Sequence, residues 1–379
     1  MSTGTFSYRL VAATLIICAA SPAAGTVTKQ STRKKSAVAK RSGNNLVSRR
    51  ARPAGQTWTE PSEADSTAGD QVDGEDLTVR RAAVDALGPL NGSVVVVDPN
   101  SGRVLSMVNQ KLALASGFTP CSTVKVPVAL AALNEGIISL HTKLRLARNW
   151  YMNLTDALAI SNNVFFAHLG EALGFDRVKQ YLRLFGYGEK AGWNIAGEQL
   201  GTFPEGPPKL GVGRLTSFGD PIAATPLQQA AFISALANGG TLYYLQYPRT
   251  EEELSNFVPK VKRRLDIASL IPNVLPGMMA AVERGTARRA YDPTDPIMGK
   301  TGTCSQDGAR LGWFTSYNGL GKKLTVVVLL RGGRATFGPR AAEVAGHVYK
   351  NLTENNYFAA QRQQLTPAAF IAGDSCCAR

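Results

Sequence analysis

Two short apolar runs rich in valine open the regularly patterned part of the chain. Residues 92–99 and 102–108 are apolar and β-branched, and the polar residues between them have the composition of a tight turn. This pattern predicts a hairpin of two strands. Strand patterns return only near the other end, at residues 311–317 and 324–330, which are joined by a second turn-forming segment.

Between these two pairs of strands the apolar positions follow helical spacing. Helices are predicted at residues 122–133, 155–160, 163–172, 175–185 and 226–237. Two more helices are predicted at residues 80–89 and 339–350, outside the first and last strands. If these strands form one sheet, its first strands pair with its last and a helical insert lies between them, although periodicity alone does not establish that pairing.

The chain begins with the layout of a secretory signal peptide. Arg9 precedes an apolar run at residues 10–20, and small residues follow at residues 21–24. The apolar run is short for a bilayer span, so we predict a signal peptide over residues 1–25, with an uncleaved anchor as the alternative. Either interpretation predicts an exported protein, periplasmic or otherwise extracytoplasmic.

Charge then separates into two blocks. Residues 28–53 hold nine Lys and Arg side chains and no acid, and residues 60–76 hold seven acids and no base. Such blocks cannot form a core, which predicts a disordered charged linker over residues 26–80. We expect the folded domain to cover residues 81–352, a tail to follow at 353–379, and no glycosyltransferase or pedestal domain before Arg80.

The net charge of +14 raises the question of an acidic partner. The basic segment at residues 28–53 could be attracted to an anionic membrane or wall surface, or could be a solvated spacer. Nucleic acid is not expected as a partner, because export removes the opportunity and no recognition motif is present.

Three short motifs carry the candidate chemistry. Ser122 and Lys125 stand three residues apart at a predicted helix start, so both would lie on one face, where the lysine can take the serine proton. Ser161 and Asn163 form an S-x-N motif in a polar break between helices, and Lys300 opens a K-T-G motif before a strand. Chance supplies S-x-x-K about once or twice in such a chain, but K-T-G on the order of 0.1 times.

These motifs, in this order, resemble those of the penicillin-binding protein transpeptidases and serine β-lactamases. The resemblance covers most of residues 91–349 and includes flanking pieces such as residues 225–228 and 285–287. It implies a fold of mixed α/β (α+β) type: an antiparallel sheet flanked by helices, with an all-helical subdomain. It also implies a D,D-transpeptidase that acts on peptidoglycan stem peptides ending in D-Ala-D-Ala and that β-lactam antibiotics inhibit covalently.

The resemblance also assigns roles, and each side chain suits its role. Ser122 would be the nucleophile, Lys125 its base, and Ser161 a proton relay to the leaving amine. Asn163 would hold Lys125 and the substrate, and Lys300 would supply positive charge. The remaining assignments are substrate binding by Thr301, Gly302 and Thr303, with an oxyanion hole formed by the backbone N–H groups of Ser122 and Thr303.

Other functions stay open. Residues 122–127 and 185–188 also resemble class D β-lactamases, although the polar Asn163 and Thr303 stand where those enzymes have an apolar residue and a tryptophan. A D,D-carboxypeptidase would share every motif with a transpeptidase. The non-enzymatic alternative is a β-lactam sensor or scaffold, which intact motifs argue against. The loop at Asp220 departs from the Gly-Gln-Gly usual in the transpeptidases, so acceptor binding could differ.

Cofactors and metals are not expected. The histidines His141, His168 and His347 are scattered along the chain, and Thr294 stands where a P-loop would need glycine.

Cys121 and Cys304 flank two of the motifs. A disulfide between them is conceivable in an exported protein, but it would join the nucleophile to the substrate-binding strand. We therefore predict two unpaired cysteines that pack as small apolar residues. The sequence suggests no role for the two adjacent cysteines Cys376 and Cys377.

Overall fold

A computed structural model describes residues 58–319 and 321–358 of the chain. The predicted signal peptide, the basic segment at 28–53 and most of the predicted C-terminal tail lie outside the described residues. Within these, five strands form one sheet, in the spatial order Arg103–Val108, Gly92–Asp98, Thr325–Gly332, Ala309–Asn318 and Ile297–Gln306.

The helices and strands follow the chain in this order. The strands are β1 (Gly92–Asp98), β2 (Arg103–Val108), β3 (Leu144–Ala147), β4 (Trp150–Met152), β5 (Thr241–Tyr243), β6 (Val261–Arg264), β7 (Ile297–Gln306), β8 (Ala309–Asn318) and β9 (Thr325–Gly332). The helices are α1 (Leu77–Leu87), α2 (Gln110–Ala113), α3 (Lys125–Asn134), α4 (Leu154–Ala159), α5 (Asn163–Leu184), α6 (Val212–Phe218), α7 (Pro226–Ala237), α8 (Glu251–Ser255), α9 (Ile271–Glu283) and α10 (Gly338–Glu354).

The predicted pairing of first and last strands is confirmed. β1 lies antiparallel to β2 on one side and to β9 on the other, with Val95 opposite Val327. Successive side chains alternate across a strand, and the valine run of β1 is buried on both faces because helices cover each face of the sheet. Val94 and Val96 pack beneath α1 and α10, whereas Val95 and Val97 pack beneath the helices of the insert.

The insert between β2 and β7 is mainly helical, as predicted, and it also carries two small two-stranded sheets, β3-β4 and β5-β6, that the prediction lacked. The predicted break after residue 172 is confirmed. Gly174 has a φ of 74° inside α5, a left-handed conformation that a side chain disfavours. Helix α7 is buried along its whole length and begins with a capping box between Thr225 and Gln228.

The acidic part of the predicted linker differs from the prediction, because the described fold begins at Trp58 and residues 60–76 pack against the domain. Arg80 lies 2.7 Å from the carboxylate of Asp70 and 3.5 Å from that of Glu75. Glu75 accepts hydrogen bonds from the Ser106 hydroxyl and from the hydroxyl of Tyr247. These five side chains form what we call the Arg80 cluster. A charge block therefore folds here because a buried cation lies beside it.

The described part of the predicted tail also contacts the domain. Helix α10 continues to Glu354, and the hydroxyl of Tyr357 donates to the carboxylate of Asp76 at 2.8 Å. Among the helices of residues 58–319 and 321–358, none has the length and apolar character needed to cross a membrane.

Candidate active site

The candidate nucleophile lies in a tight turn that leads into a buried helix. Cys121–Val124 form a 3₁₀ turn, and α3 starts only at Lys125, three residues later than predicted. Cys121 has a φ of 52°, which redirects the chain just before Ser122. The turn places Ser122 Oγ 2.9 Å from Lys125 Nζ, so the predicted contact between these side chains is present.

The amine of Lys125 is enclosed by neutral oxygen atoms. Its Nζ lies 2.9 Å from the carbonyl oxygen of Ser161, 3.1 Å from Ser161 Oγ and 2.6 Å from Asn163 Oδ1. Lys125 is fully buried. This burial, with the positive charge of Lys300 as a second cause, lowers the pKa of Lys125 to about 6. At neutral pH the amine is therefore mostly unprotonated and can accept the proton of Ser122.

The S-x-N motif occupies the connection between α4 and α5. Ser161 has a φ of 58°, in the left-handed region, and Asn162 caps α5 by accepting a hydrogen bond from the backbone N–H of Phe165 at 2.8 Å. The break between the helices thus turns the carbonyl and hydroxyl of Ser161 towards Lys125. Asn163 begins α5 and reaches the same amine with its side-chain oxygen.

The K-T-G motif lies on β7, at the edge of the sheet beside the 3₁₀ turn. Lys300 is fully buried, and this desolvation lowers the pKa of its amine to about 7. Its Nζ donates to the carbonyl oxygen of Thr301 at 3.0 Å. A side chain at Gly302 would meet the carbonyl oxygen of Pro120 at 2.9 Å and Cys121 Cβ at 3.1 Å. Glycine therefore allows β7 to approach the turn that carries Ser122.

The two threonine hydroxyls of this motif have partners within the protein. Thr301 Oγ1 lies 2.6 Å from Thr286 Oγ1, and Thr303 Oγ1 accepts a hydrogen bond from the N–H of Gly338 at 2.8 Å. Gly338 opens α10, so Thr303 reaches towards that helix. Substrate binding by these hydroxyls, and the oxyanion hole at the backbone of Ser122 and Thr303, stay predictions.

The prediction for the two cysteines is wrong. Cys121 and Cys304 form a disulfide, with their Cα atoms 5.6 Å apart. The close approach of β7 to the turn at Gly302 brings the residue after Thr303 beside the residue before Ser122. The disulfide therefore covalently joins the turn that carries Ser122 to the candidate substrate-binding strand β7.

The sequence patterns did not indicate several residues that hold the nucleophile turn, the 3₁₀ turn Cys121–Val124 that carries Ser122. The indole N–H of Trp313 donates to the carbonyl oxygen of Thr119 at 2.9 Å, and the N–H of Thr119 donates to Gln306 Oε1 at 2.7 Å. On the other side, Gln229 Nε2 donates to Thr123 Oγ1 at 2.9 Å. These partners lie 106 to 194 residues apart in sequence, and no local pattern signals them.

The histidines belong to separate elements, His168 to α5 and His347 to α10, with His141 before β3. Over residues 58–319 and 321–358, no group of three or more His, Cys, Asp or Glu side chains is arranged to hold a metal ion.

Comparisons with known proteins find relatives of similar sequence. The chain is 29% identical over 256 residues to stage V sporulation protein D of Bacillus subtilis, covering 58% of this chain and 39% of the relative. It is 23% identical over 293 residues to the peptidoglycan D,D-transpeptidase MrdA of Acinetobacter baumannii, covering 60% of this chain and 43% of the relative. The chain thus spans less than half the length of these relatives.

Solved structures show the same fold. A crystal structure of the D,D-transpeptidase domain of a peptidoglycan glycosyltransferase from Eggerthella lenta aligns with a TM-score of 0.60 at 19% identity, covering 74% of this chain and 82% of that one. The crystal structure of Pseudomonas aeruginosa PBP2 aligns with a TM-score of 0.62 at 23% identity, covering 75% and 77%. Residues 92–354 match the family described as the penicillin binding protein transpeptidase domain, and the chain belongs to this family.

Proposed function

We propose that this protein is a D,D-transpeptidase that cross-links peptidoglycan stem peptides through an acyl-enzyme on Ser122, and that β-lactams acylate the same serine. One observation carries the proposal: the buried amine of Lys125 lies 2.9 Å from Ser122 Oγ, with a pKa of about 6. A serine hydroxyl becomes a strong nucleophile when an adjacent group takes its proton, and a neutral lysine is such a group.

The first half of the reaction follows from this arrangement. Lys125 takes the proton of Ser122 while Oγ attacks the carbonyl carbon of the penultimate D-Ala, which gives a tetrahedral oxyanion. The backbone N–H groups of Ser122 and Thr303 would stabilise this charge. Collapse breaks the peptide bond, and Ser161, 3.1 Å from Lys125 Nζ, would pass the proton to the leaving D-Ala amine.

The second half reverses these steps with a new nucleophile. An amine of a second stem peptide attacks the acyl-enzyme, and its proton returns through Lys125 to Ser122. Water as the acceptor would give a carboxypeptidase. Lys300 and the K-T-G strand would hold the terminal carboxylate of the donor peptide by charge and by hydrogen bonds.

The surroundings of Lys125 favour this reaction over that of a class D β-lactamase. The class D mechanism implied by the resemblance needs a carbamylated lysine in an apolar shelter. Here the Lys125 amine has Asn163 Oδ1 at 2.6 Å and two oxygen atoms of Ser161 within 3.1 Å. These polar contacts hold an unmodified amine, so we expect the β-lactam acyl-enzyme to persist.

The experiment mixes the purified chain with a fluorescent penicillin and follows covalent label and β-lactam ring opening together. The expected result is one stable label per chain, which is absent from Ser122→Ala. Ring opening that continues over many turnovers without lasting label would establish a β-lactamase. No label at all would leave a scaffold.

A second assay separates the two peptide reactions. A stem pentapeptide that ends in D-Ala-D-Ala is supplied with and without an acceptor amine. Transpeptidation predicts a cross-linked product together with released D-Ala. Release of D-Ala without a cross-link, at any acceptor concentration, would identify a carboxypeptidase.

We further propose that the protein is exported and acts outside the cytoplasm, and that the basic residues 28–53 contact an anionic membrane or wall surface.

A further inference from the structure

A chain of buried polar side chains lies directly behind the nucleophile turn. Thr123, Gln229 and Tyr187 are 2%, 1% and 0% exposed. Gln229 Nε2 donates to Thr123 Oγ1 at 2.9 Å, and the hydroxyl of Tyr187 donates to Gln229 Oε1 at 3.3 Å. Polar groups buried this deeply are retained only when they are hydrogen-bonded, and here each of the three side chains bonds to another of the three.

The hydrogen bonds among these three side chains run in one direction, from Tyr187 through Gln229 to Thr123. A threonine hydroxyl has a single hydrogen, and Thr123 Oγ1 donates it to the carbonyl oxygen of Pro120 at 2.7 Å. Because the Gln229 amide donates to the same oxygen, the hydroxyl of Thr123 cannot turn away from Pro120. Tyr187 in turn fixes the orientation of the Gln229 amide by donating to its oxygen.

This direction matters because Ser122 lies inside the turn that the Thr123–Pro120 contact closes. The N–H of Thr123 also donates to the carbonyl oxygen of Pro120, at 3.2 Å, so both contacts of Thr123 bridge the residues on either side of Cys121 and Ser122. The position of Ser122 Oγ relative to Lys125 depends on that geometry. A displacement of about 1 Å in reacting atoms can slow a reaction on the order of a hundredfold.

Gln229 lies on a helix that is held firmly in place. It lies in the first turn of α7, whose capping box and complete burial leave it little freedom. The opposite side of the nucleophile turn is held independently by Trp313 and by the disulfide of Cys304. Loss of the Gln229 contact should therefore shift the turn without releasing it.

We propose that Gln229 is a positioning residue that holds the Ser122 turn in its reactive geometry, acting through Thr123 and oriented by Tyr187. This inference rests on the proposed acylation of Ser122. It predicts a specific kinetic signature, because a displaced serine slows the covalent step while leaving the surface that first binds the β-lactam or peptide intact.

The experiment compares Gln229→Leu with the wild-type full-length chain in stopped-flow acylation by a fluorescent penicillin. Leucine keeps the approximate size and removes the hydrogen bonds. The acylation rate constant should fall roughly 10- to 100-fold, while the dissociation constant of the non-covalent complex changes less than about threefold. In a Thr123→Val background, the same substitution should have little further effect, since its route to Ser122 is already lost.

Ser234→Ala is the matched control. Ser234 also lies in α7, is 3% exposed and hydrogen-bonds Thr325 Oγ1 at 3.0 Å, on the first strand position of β9 rather than on the turn. Its loss should lower the melting temperature by an amount comparable to that of Gln229→Leu but leave the acylation rate constant within about twofold. Equal acylation rates in Gln229→Leu and Ser234→Ala would overturn the proposal.

Gln229→Glu gives a second readout if the leucine variant folds poorly. A neutral carboxyl group can donate to Thr123 and accept from Tyr187 as the amide does, whereas a carboxylate can only accept. Burial raises the pKa of such a carboxyl, and burial raises the pKa of Tyr187 far above its usual range, so the tyrosine does not ionise here. The ratio of variant to wild-type acylation rates should therefore fall as pH rises.

Two outcomes contradict the inference in different ways. A Gln229→Glu ratio that stays near one at every pH would show that the hydrogen-bond direction does not matter to Ser122. A wild-type chain that no penicillin acylates would overturn the proposed function itself, and the role of Gln229 with it.

Discussion

Two groups of charged side chains are buried in this domain, and they differ in what surrounds them. In the Arg80 cluster, Arg80 has Asp70 at 2.7 Å and Glu75 at 3.5 Å, and the backbone N–H groups of Asn109 and Gln110 donate to Asp70. In the active site, Lys125 and Lys300 are fully buried beside neutral oxygen atoms, and the charge of Lys300 acts on Lys125. The first group contains opposite charges and the second contains like charges.

The difference separates a structural use of buried charge from a chemical one. Opposite charges that are paired and hydrogen-bonded offset the cost of burying each other, and here they help to hold residues 58–76 on the domain. Like charges without a carboxylate partner are driven towards their neutral form, and a neutral amine is a base. Three substitutions test this contrast, in decreasing order of expected effect.

Lys125→Met removes the base and should have the largest effect. The acylation rate constant with a β-lactam should fall by at least about a thousandfold, because Ser122 then has no adjacent proton acceptor. Stopped-flow labelling with a fluorescent penicillin measures this. Lys143→Met, at an exposed lysine, is the control and should react at the wild-type rate. Labelling of the Lys125 variant within tenfold of wild type would refute the assigned role.

Arg80→Met leaves two carboxylates buried without their cation. The free energy of unfolding should fall by about 3–5 kcal/mol, while acylation per folded molecule is unchanged. Urea unfolding followed by circular dichroism gives the first quantity and active-site titration the second. Arg289→Met, which breaks the ion pair of the half-exposed Arg289 with Glu343, should change stability by no more than about 1 kcal/mol. Equal losses in both variants would contradict a structural role for the Arg80 cluster.

Lys300→Met should make the domain more stable by roughly 1–3 kcal/mol at neutral pH. Burial lowers the pKa of Lys300 to about 7, against about 10.4 in an unfolded chain. Between these values the unfolded state binds more protons, so the stability of the wild type rises with pH and its disadvantage shrinks. Urea unfolding of both proteins at pH 7 and pH 10 measures the gap. A difference in unfolding free energy between variant and wild type that is larger at pH 10 than at pH 7 would show that the charge of Lys300 does not destabilise the domain.

The residues of the three motifs could be predicted because each motif is short and local. Ser122 and Lys125 meet through helical spacing, and the break before Asn163 is visible in its polar residues. The contacts within these motifs follow from patterns within about ten residues. The pairing of β1 with β9, which sets Val95 opposite Val327, does not follow from periodicity alone and is implied by the family resemblance.

The rest depended on contacts between distant residues. The acidic segment at 60–76 has the composition of a solvated linker, and only the position of Arg80 shows why it folds. Cys121 and Cys304 are separated by 183 residues, and the sequence allowed both free thiols and a disulfide. The contact between Gln229 and Thr123 arises from the packing of α7 behind the turn, which no spacing rule indicates.

The Cys121–Cys304 disulfide also changes the covalent topology of the protein. It closes residues 121–304 into a ring that holds the helical insert, the S-x-N motif and both lysines of the site. A protease that cuts one loop of the insert would open this ring without producing two separate molecules. Ser122 would stay covalently attached to β7 after such a cut, and the two halves of the catalytic machinery would separate only after reduction.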